Sequence, residues 1–261
     1  MLIERARPEH LDGVRAIAAG YGNLDEWPER PDALDFELRE GALWVAHEDG
    51  AVRGYAGVMR HGAVAHLADM FVARDRLGQG IGRRLLEAAL PPGGVRITFA
   101  SGDPRALPLY VRAGMSPLAP LLYLQGTSAA GAAAPPARVA VPEVAERDAG
   151  PSGRSRPELL AFLAEAGAYA LLGARPGAYA VVRPAPSGAW LGPATADAGE
   201  LLAFAAAASA AHGGVRLALC GPHPALAPLL ASGFRVTGAD TYMASHPDAL
   251  DPLYLPEVDL G

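Results

Sequence analysis

Residues 2–6 read as a short strand, and at residue 8 the pattern of apolar positions becomes helical. Over 8–19, Leu11, Val14, Ile17 and Ala18 share one face, with Pro8 near the start. A second, more acidic helix covers 32–39. Three strands follow, over 43–46, 52–59 and 64–72. Asp49-Gly50, a strong hairpin signal, joins the first two, and His61-Gly62 turns the second into the third. The pattern returns to helix over 80–89. A strand over 95–99 follows a Gly-Gly pair, and a helix over 104–113 stops at Gly114. A strand over 118–124 is expected to close the sheet. The order predicts an α/β fold of the α+β type, with a mixed but mostly antiparallel central sheet flanked by helices.

The second half repeats this plan. Gly93-Gly94-Val95-Arg96 recurs as Gly213-Gly214-Val215-Arg216, and Asp103-Pro104 as His223-Pro224. After a one-residue gap, Ala113-Gly114-Met115 matches Ser232-Gly233-Phe234, and Tyr123-Leu124 matches Tyr242-Met243. An ordered series of matches in a two-copy pattern indicates duplication of a domain rather than a solenoid. Residues 126–137 hold only small side chains, proline and two hydroxyls, which cannot build a core. The expected division is therefore a domain over 1–126, a linker over 127–137 and a second domain over 138–261. A chain of 261 residues fits two domains of roughly 100–200 residues each.

Composition narrows the function classes. A formal charge of −6 argues against a nucleic-acid partner, which selects for a basic patch. The longest apolar run, 201–211, falls short of the ~20 residues that span a bilayer, so no membrane partner is expected. Residues 1–7 carry no long apolar region of the signal-peptide kind, and a cytoplasmic location is expected. The single cysteine, Cys220, cannot form a disulfide within the chain and reads as a small buried hydrophobe in a strand. Histidines 10, 47, 61, 66, 212, 223 and 246 show no ligand-like spacing, so no metal site is expected.

The strand ending at Phe71 and Val72 is followed by Gly78-Gln79-Gly80-Ile81-Gly82 and then by a helix. A glycine-rich turn opening a helix lets an anion approach the backbone N–H groups, and the helix dipole adds positive potential there. Arg83 and Arg84 add full charges. Neither a dinucleotide fingerprint nor a nucleoside-triphosphate loop fits: Arg83 stands where the first needs glycine, and the Gly-Lys-Ser/Thr ending of the second is missing. With these elements around it, the segment resembles the acetyl-CoA motif of the GNAT (GCN5-related N-acetyltransferase) superfamily, Arg/Gln-x-x-Gly-x-Gly/Ala. Gly80 and Gly82 take its small positions, and Leu77 stands where Arg or Gln is usual. A second family motif, Asn-x-x-Ala-x-x-Leu/Phe-Tyr with a Gly-Phe turn, is similar to Asp103 through Tyr110 followed by Gly114-Met115, with Asp103 in place of Asn and Met115 in place of Phe. The resemblance covers residues 1–126. The second half looks like a degenerate copy, as in double-GNAT proteins.

The resemblance implies acetyl-CoA as co-substrate and transfer of its acetyl group to a primary amine, on a small molecule or a protein, by direct attack on the thioester. It places the cofactor arm on backbone groups near Phe71 and Val72, and the pyrophosphate on Leu77, Gly78, Gln79, Gly80, Ile81, Gly82 and Arg83, with Asp103 nearby. Tyr110 falls on the position whose phenol lies near the sulfur and would protonate the leaving thiolate. His66, Asp69 or a water relay would take the ammonium proton. His66 and Asp69 point to opposite faces of the strand unless a bulge intervenes. The acids Asp25, Glu26, Glu29, Asp32, Asp35, Glu37 and Glu40, with Tyr21 and Trp27, would either wall the acceptor pocket or form a solvated helix face. Residues 191–199 lack a Gly-x-Gly loop and Leu229 matches Tyr110, so no catalysis is expected in the second half. The acidic tail, 247–261, either packs back across the domains or is only partly ordered. A homodimer is compatible with the sequence. The other readings left open are a non-catalytic acyl-CoA sensor and an interaction module.

Overall fold

The computed structural model describes residues 1–127, 135–152 and 155–260, so most of the expected linker, 128–134, lies outside the described residues. In the first half β1 (Leu2–Arg5) leads through a 3-10 turn to α1 (Leu11–Ala19) and α2 (Ala33–Glu40). There follow β2 (Ala42–Glu48), β3 (Ala51–His61), β4 (Val64–Val72), α3 (Ile81–Ala89), β5 (Val95–Ala100), α4 (Ala106–Arg112) and β6 (Ser116–Gly126). The second half copies the order: β7 (Ala137–Val139), α5 (Ala145–Ser152), α6 (Pro157–Glu165), β8 (Tyr169–Leu172), β9 (Tyr179–Ala185), β10 (Gly188–Thr195), α7 (Ala198–His212), β11 (Val215–Cys220), α8 (Leu226–Ala231) and β12 (Arg235–Ala244). It then adds a short strand, β13 (Tyr254–Leu255). The helix expected to begin at residue 8 starts as a 3-10 turn over Pro8–His10 and becomes an α-helix only at Leu11.

All strands join one sheet in the order β1-β2-β3-β4-β5-β12-β6-β11-β10-β9-β8-β7, with β13 on β10. Two pairings are parallel, β4 with β5 and β10 with β11. Strand β6 does not close the sheet of its own half. It lies between β12 and β11, while β12 pairs with β5. The halves thus exchange their last strands about a pseudo-twofold axis. Each β6-type strand gains two partners across the exchange, which ties the halves together through main-chain hydrogen bonds. Among the described residues no helix is long and apolar enough to cross a membrane.

Helices α3 and α4 cover one face of the first half through Ile81, Leu85, Leu86, Ala89 and Tyr110, and α7 and α8 do the same in the second half. On the opposite face the halves meet directly: Phe162 of α6 stacks on Trp27 and Phe36, with ring centroids 5.5 and 4.6 Å apart. Cys220 is buried in β11, and burial pushes its thiol up to about 12.

The tail packs back across both halves. Arg156, whose side chain is fully buried, donates to Asp148 through Nε (3.0 Å) and Nη2 (2.5 Å), and Nη2 also reaches the Tyr254 hydroxyl at 2.5 Å. Tyr179 donates to the same carboxylate. This network fixes β13 to α5, α6 and β9. Removing one partner of such a buried pair strands the other charge. Arg156→Met is therefore expected to destabilise the chain by about 3 kcal/mol, read as a lower denaturant midpoint at unchanged slope. An unchanged midpoint would contradict this account of the tail's anchorage.

Candidate active site

The parallel pairing of β4 and β5 runs only from Val64 opposite Val95 to Leu67 opposite Thr98. Beyond it, residues 68–72 and Phe99 line a cavity of about 660 Å³. Backbone groups that a continued ladder would consume are thus left facing the cavity from β4. Where β4 runs beside β3, the register shifts between Gly57 and Val58, so Ala68 is an extra residue in β4. The bulge cancels the alternation over three residues and puts His66 and Asp69 on one face.

At one end of the cavity lies the glycine loop. Gly78 and Gly80 have φ of +78° and +77°, a region costly for residues with a Cβ, and a Cβ built on either would meet no atom within 4 Å. Their conformation, not crowding, calls for glycine, and the space above them is open to a ligand. Gly80 caps α3 without any side-chain acceptor, so the first N–H groups of that helix are available to an anion. Arg74, Arg76, Arg83, Arg105 and Arg112 line the same cavity. A phosphate-bearing ligand fits this end on both counts. Gln79 is exposed and does not line the cavity, whereas Leu77, Gly78, Gly80, Ile81, Gly82 and Arg83 do. Asp103 also lines it, and its carboxylate is held at about 2 by the Arg105 guanidinium, which donates to it through Nε at 2.9 Å and Nη2 at 2.5 Å.

Tyr110 comes from α4 on the helical face, is 5 % exposed, and presents its phenol to the cavity beside Thr98. The Thr98 hydroxyl donates to the Leu67 carbonyl at 2.9 Å, at the point where the ladder ends. Burial pushes the phenol above its ordinary value, so it stays protonated across the neutral range. Asp69 approaches from β4, 3 % exposed, and both its oxygens accept from Asn23 Nδ2 (2.9 and 3.0 Å). Burial, reinforced by the charge of Asp259, raises its carboxyl to about 8. Glu37 of α2 lies behind it, and burial, together with the charges of Asp69 and Asp259, raises its carboxyl too. The Glu37 carboxylate packs on Gly57, where a Cβ would come within 2.0 Å of it, and Gly57 is the ladder partner of Asp69.

His66 is fully buried, its ring 4.9 Å from that of Phe99, and does not line the cavity. None of the seven acids between Asp25 and Glu40 lines it either. Asp32 and Asp35 bind Arg15, at 2.9 and 2.8 Å, and Glu26 binds Arg216. Of the aromatic residues among them, Tyr21 lines the cavity and donates to the Val72 carbonyl at 2.8 Å. The acidic wall is built instead by Asp69, by Asp240 of β12 and by Asp259 of the tail. Asn23, Thr98, Asp240 and Asp259 carried no local motif; the repeat and the tail's acidity were the only signals near the last two. Elsewhere, pairing of β1 with β2 gathers Glu4, His10 and His47, with Glu4 Oε1 3.0 Å from His47 Nε2, 3.9 Å from His10 Nε2 and 3.3 Å from Arg7 Nη2. The His10 Nδ1 accepts from the Arg7 N–H at 3.1 Å, which makes Nε2 the N–H that faces Glu4.

In the second half the equivalent opening is filled. Only Trp190 and Leu191 pair with β11, and the far end of β10, Ala194 and Thr195, pairs with Leu255 and Tyr254 of β13. The chain's own tail takes the wedge that stays open in the first half.

A split between parallel strands, a glycine loop opening a helix, and a buried phenol and carboxyl thus share one cleft. Residues 39–114 match the family model described as an acetyltransferase (GNAT) domain. A protein of Pyrococcus horikoshii provisionally named an acetyltransferase shares the fold over 100% of this chain and 95% of its own, with a TM-score of 0.79 at 16% identity. A GCN5-related N-acetyltransferase from Sphaerobacter thermophilus gives 0.59 at 15%, covering 93% of this chain and 94% of that one. A tandem GNAT protein from the clavulanic acid biosynthesis pathway gives 0.58 at 18%, covering 90% and 93%. A search of curated proteins found no match. Residues 39–114 thus match a GNAT domain, and the whole chain has a tandem GNAT fold.

Proposed function

We propose that the chain is an N-acetyltransferase that moves the acetyl group of acetyl-CoA to a primary amine, with one active site, in the first half. The observation that carries this reading is the single cavity holding the open glycine loop, Tyr110 and Asp69 together. Bound acetyl-CoA supplies an acyl carbon activated as a thioester. The loop from Leu77 to Arg83 would hold its pyrophosphate on backbone N–H groups, and the β4 backbone near Phe71 and Val72, on the side away from β3, would hold its arm. Binding the remote phosphates fixes the reactive end against Asp69 and Tyr110.

Asp69 takes one proton from the arriving ammonium, leaving a neutral amine whose lone pair attacks the acyl carbon. Tyr110 gives its phenolic proton to the sulfur as the carbon–sulfur bond breaks, and recovers a proton from the nitrogen, which becomes the amide. The proton left on Asp69 returns to solvent. A raised carboxyl suits the first task, because a base works best with a pKa near the operating pH, and a raised phenol suits the second. His66, buried against Phe99, is set aside as the base in this reading. A cytoplasmic location belongs to it, supported by the lone buried thiol.

Calorimetry with acetyl-CoA, followed by free-thiol release over an amine panel, tests the proposal. Tight binding and release with at least one amine are expected. Gly80→Ala puts a Cβ at φ +77° and on the side where the phosphate approaches, so acetyl-CoA affinity is expected to fall about tenfold or more. Binding without release on any amine would favour an acyl-CoA sensor, and binding undiminished in the variant would refute the loop's role.

A further inference from the structure

Beyond Tyr110 and Asp69 the cavity continues to a wall that the second half supplies. Asp240 and Asp259 line it, with Tyr123 between the halves. Asp240 accepts from the Tyr123 hydroxyl at 2.7 Å, and Asp259 accepts from Trp27 Nε1 at 2.7 Å, each through Oδ2. Among the described residues no hydrogen bond reaches the second oxygen of either carboxylate. Arg183 and Arg216 are the basic side chains whose charge reaches Asp259, and both are engaged elsewhere. Arg183 lies 3.9 Å from Glu257 and over the Trp27 ring, and Arg216 binds Glu26. Among the described residues, Asp69, Asp240 and Asp259 form no ion pair. Behind them Glu37 is fully buried, and neither of its carboxylate oxygens has a hydrogen-bond partner. Its carboxylate lies over Gly57, the ladder partner of Asp69, within reach of the charges of Asp69 and Asp259. The cavity-lining arginines belong instead to the glycine loop, the turn before it and the α4 segment.

Charge is therefore sorted along one cavity, positive where phosphates would lie and negative beyond the reacting end. Buried carboxyls need a cation or a proton to offset their desolvation. One reacting amine addresses Asp69 and leaves Asp240 and Asp259 facing it unmatched. We propose that the acceptor is a small amine with two cationic centres, a diamine or polyamine: Asp69 receives the reacting amine, and Asp240 and Asp259 hold the second ammonium. This deepens the acetyl-transfer reading above and rests on it. The degenerate half then has a definite task. Its own wedge is plugged by β13, and the residues after that plug carry Asp259 into the live cavity.

The test uses the full chain with acetyl-CoA and compares putrescine and spermidine with butylamine and hexylamine by thiol release. The diamines are expected to exceed the monoamines in kcat/KM by roughly 100-fold, the scale of a second charge-assisted contact in a desolvated site. Asp240→Asn and Asp259→Asn are each expected to shrink that preference about tenfold, chiefly through KM for the diamine. The wild-type comparison needs no variant and decides even where a substitution disturbs the tail. Monoamines and diamines turned over alike would overturn the proposal and leave the acetyltransferase reading standing, as would a preference undiminished in both variants. Acetyl-CoA binding with no release on any amine would overturn both.

Discussion

Asp69→Asn is expected to lower kcat/KM by about 1000-fold and to remove the ascending limb of its pH profile, within the range that a positioned general base contributes. Asp69 acts only when ionised, and burial with the Asp259 charge raises its carboxyl to about 8. The rate should therefore rise with pH and level off above about 8 in kcat/KM, which reports the free enzyme. In kcat the limb should lie lower, because a bound ammonium favours the carboxylate. The variant should fold well, since its amide oxygen still accepts from Asn23. Relative to the wild type it should also gain stability as pH rises. The folded chain keeps a proton on Asp69 that the unfolded chain releases at an ordinary aspartate value near ~4, so the native carboxyl costs stability increasingly between about pH 4 and 8, and an amide does not. A full-rate variant with an unchanged pH profile would remove Asp69 from the chemistry.

Tyr110→Phe is expected to lower kcat by about 100-fold or more while acetyl-CoA affinity stays unchanged, as loss of a general acid predicts. The ring packs in the core with Leu85, Leu86 and Met115, and the substitution keeps it. A near-native melting temperature together with slow thiol release would separate a chemical role from a structural one. Because the phenol is pushed up by burial, its own ionisation should leave no limb below its ordinary value near ~10. Equal turnover in the mutant would sink the role. Double substitution with Asp69→Asn should cost less than the two single losses added, since both residues serve one proton pathway.

Much of the first half was legible from local pattern. The hairpins at Asp49-Gly50 and His61-Gly62, the glycine loop and the stop at Gly114 depend on backbone conformations that only a few residue types adopt. Asp49, Gly50, Gly62, Gly78, Gly80 and Gly114 all have positive φ. The repeat was legible for the same reason, since Gly93-Gly94 and Gly114 recur as Gly213-Gly214 and Gly233 at matching turns. That Asp69 and not His66 lines the cavity was not, because the extra residue Ala68 puts both on one face and only the packing around each separates them. No local pattern encodes that. The acidic stretch between Asp25 and Glu40 was conspicuous in sequence, yet Asp32, Asp35 and Glu26 are spent on Arg15, Arg30 and Arg216, Glu37 is buried, and Asp25, Glu29 and Glu40 are exposed.

The chain's local order carries the elements, the glycine loop and the duplication, because turn geometry, apolar period and helix starts act over a few residues. The exchange of β6 and β12, the β13 plug in the second half and the arrival of Asp240 and Asp259 beside Asp69 were decided only in three dimensions. Strand partners are chosen by pairing between segments far apart in the chain, as when Tyr242 lies opposite Phe99 and Leu217 opposite Leu124. A carboxyl acquires its raised pKa from neighbours that folding brings, not from those in sequence.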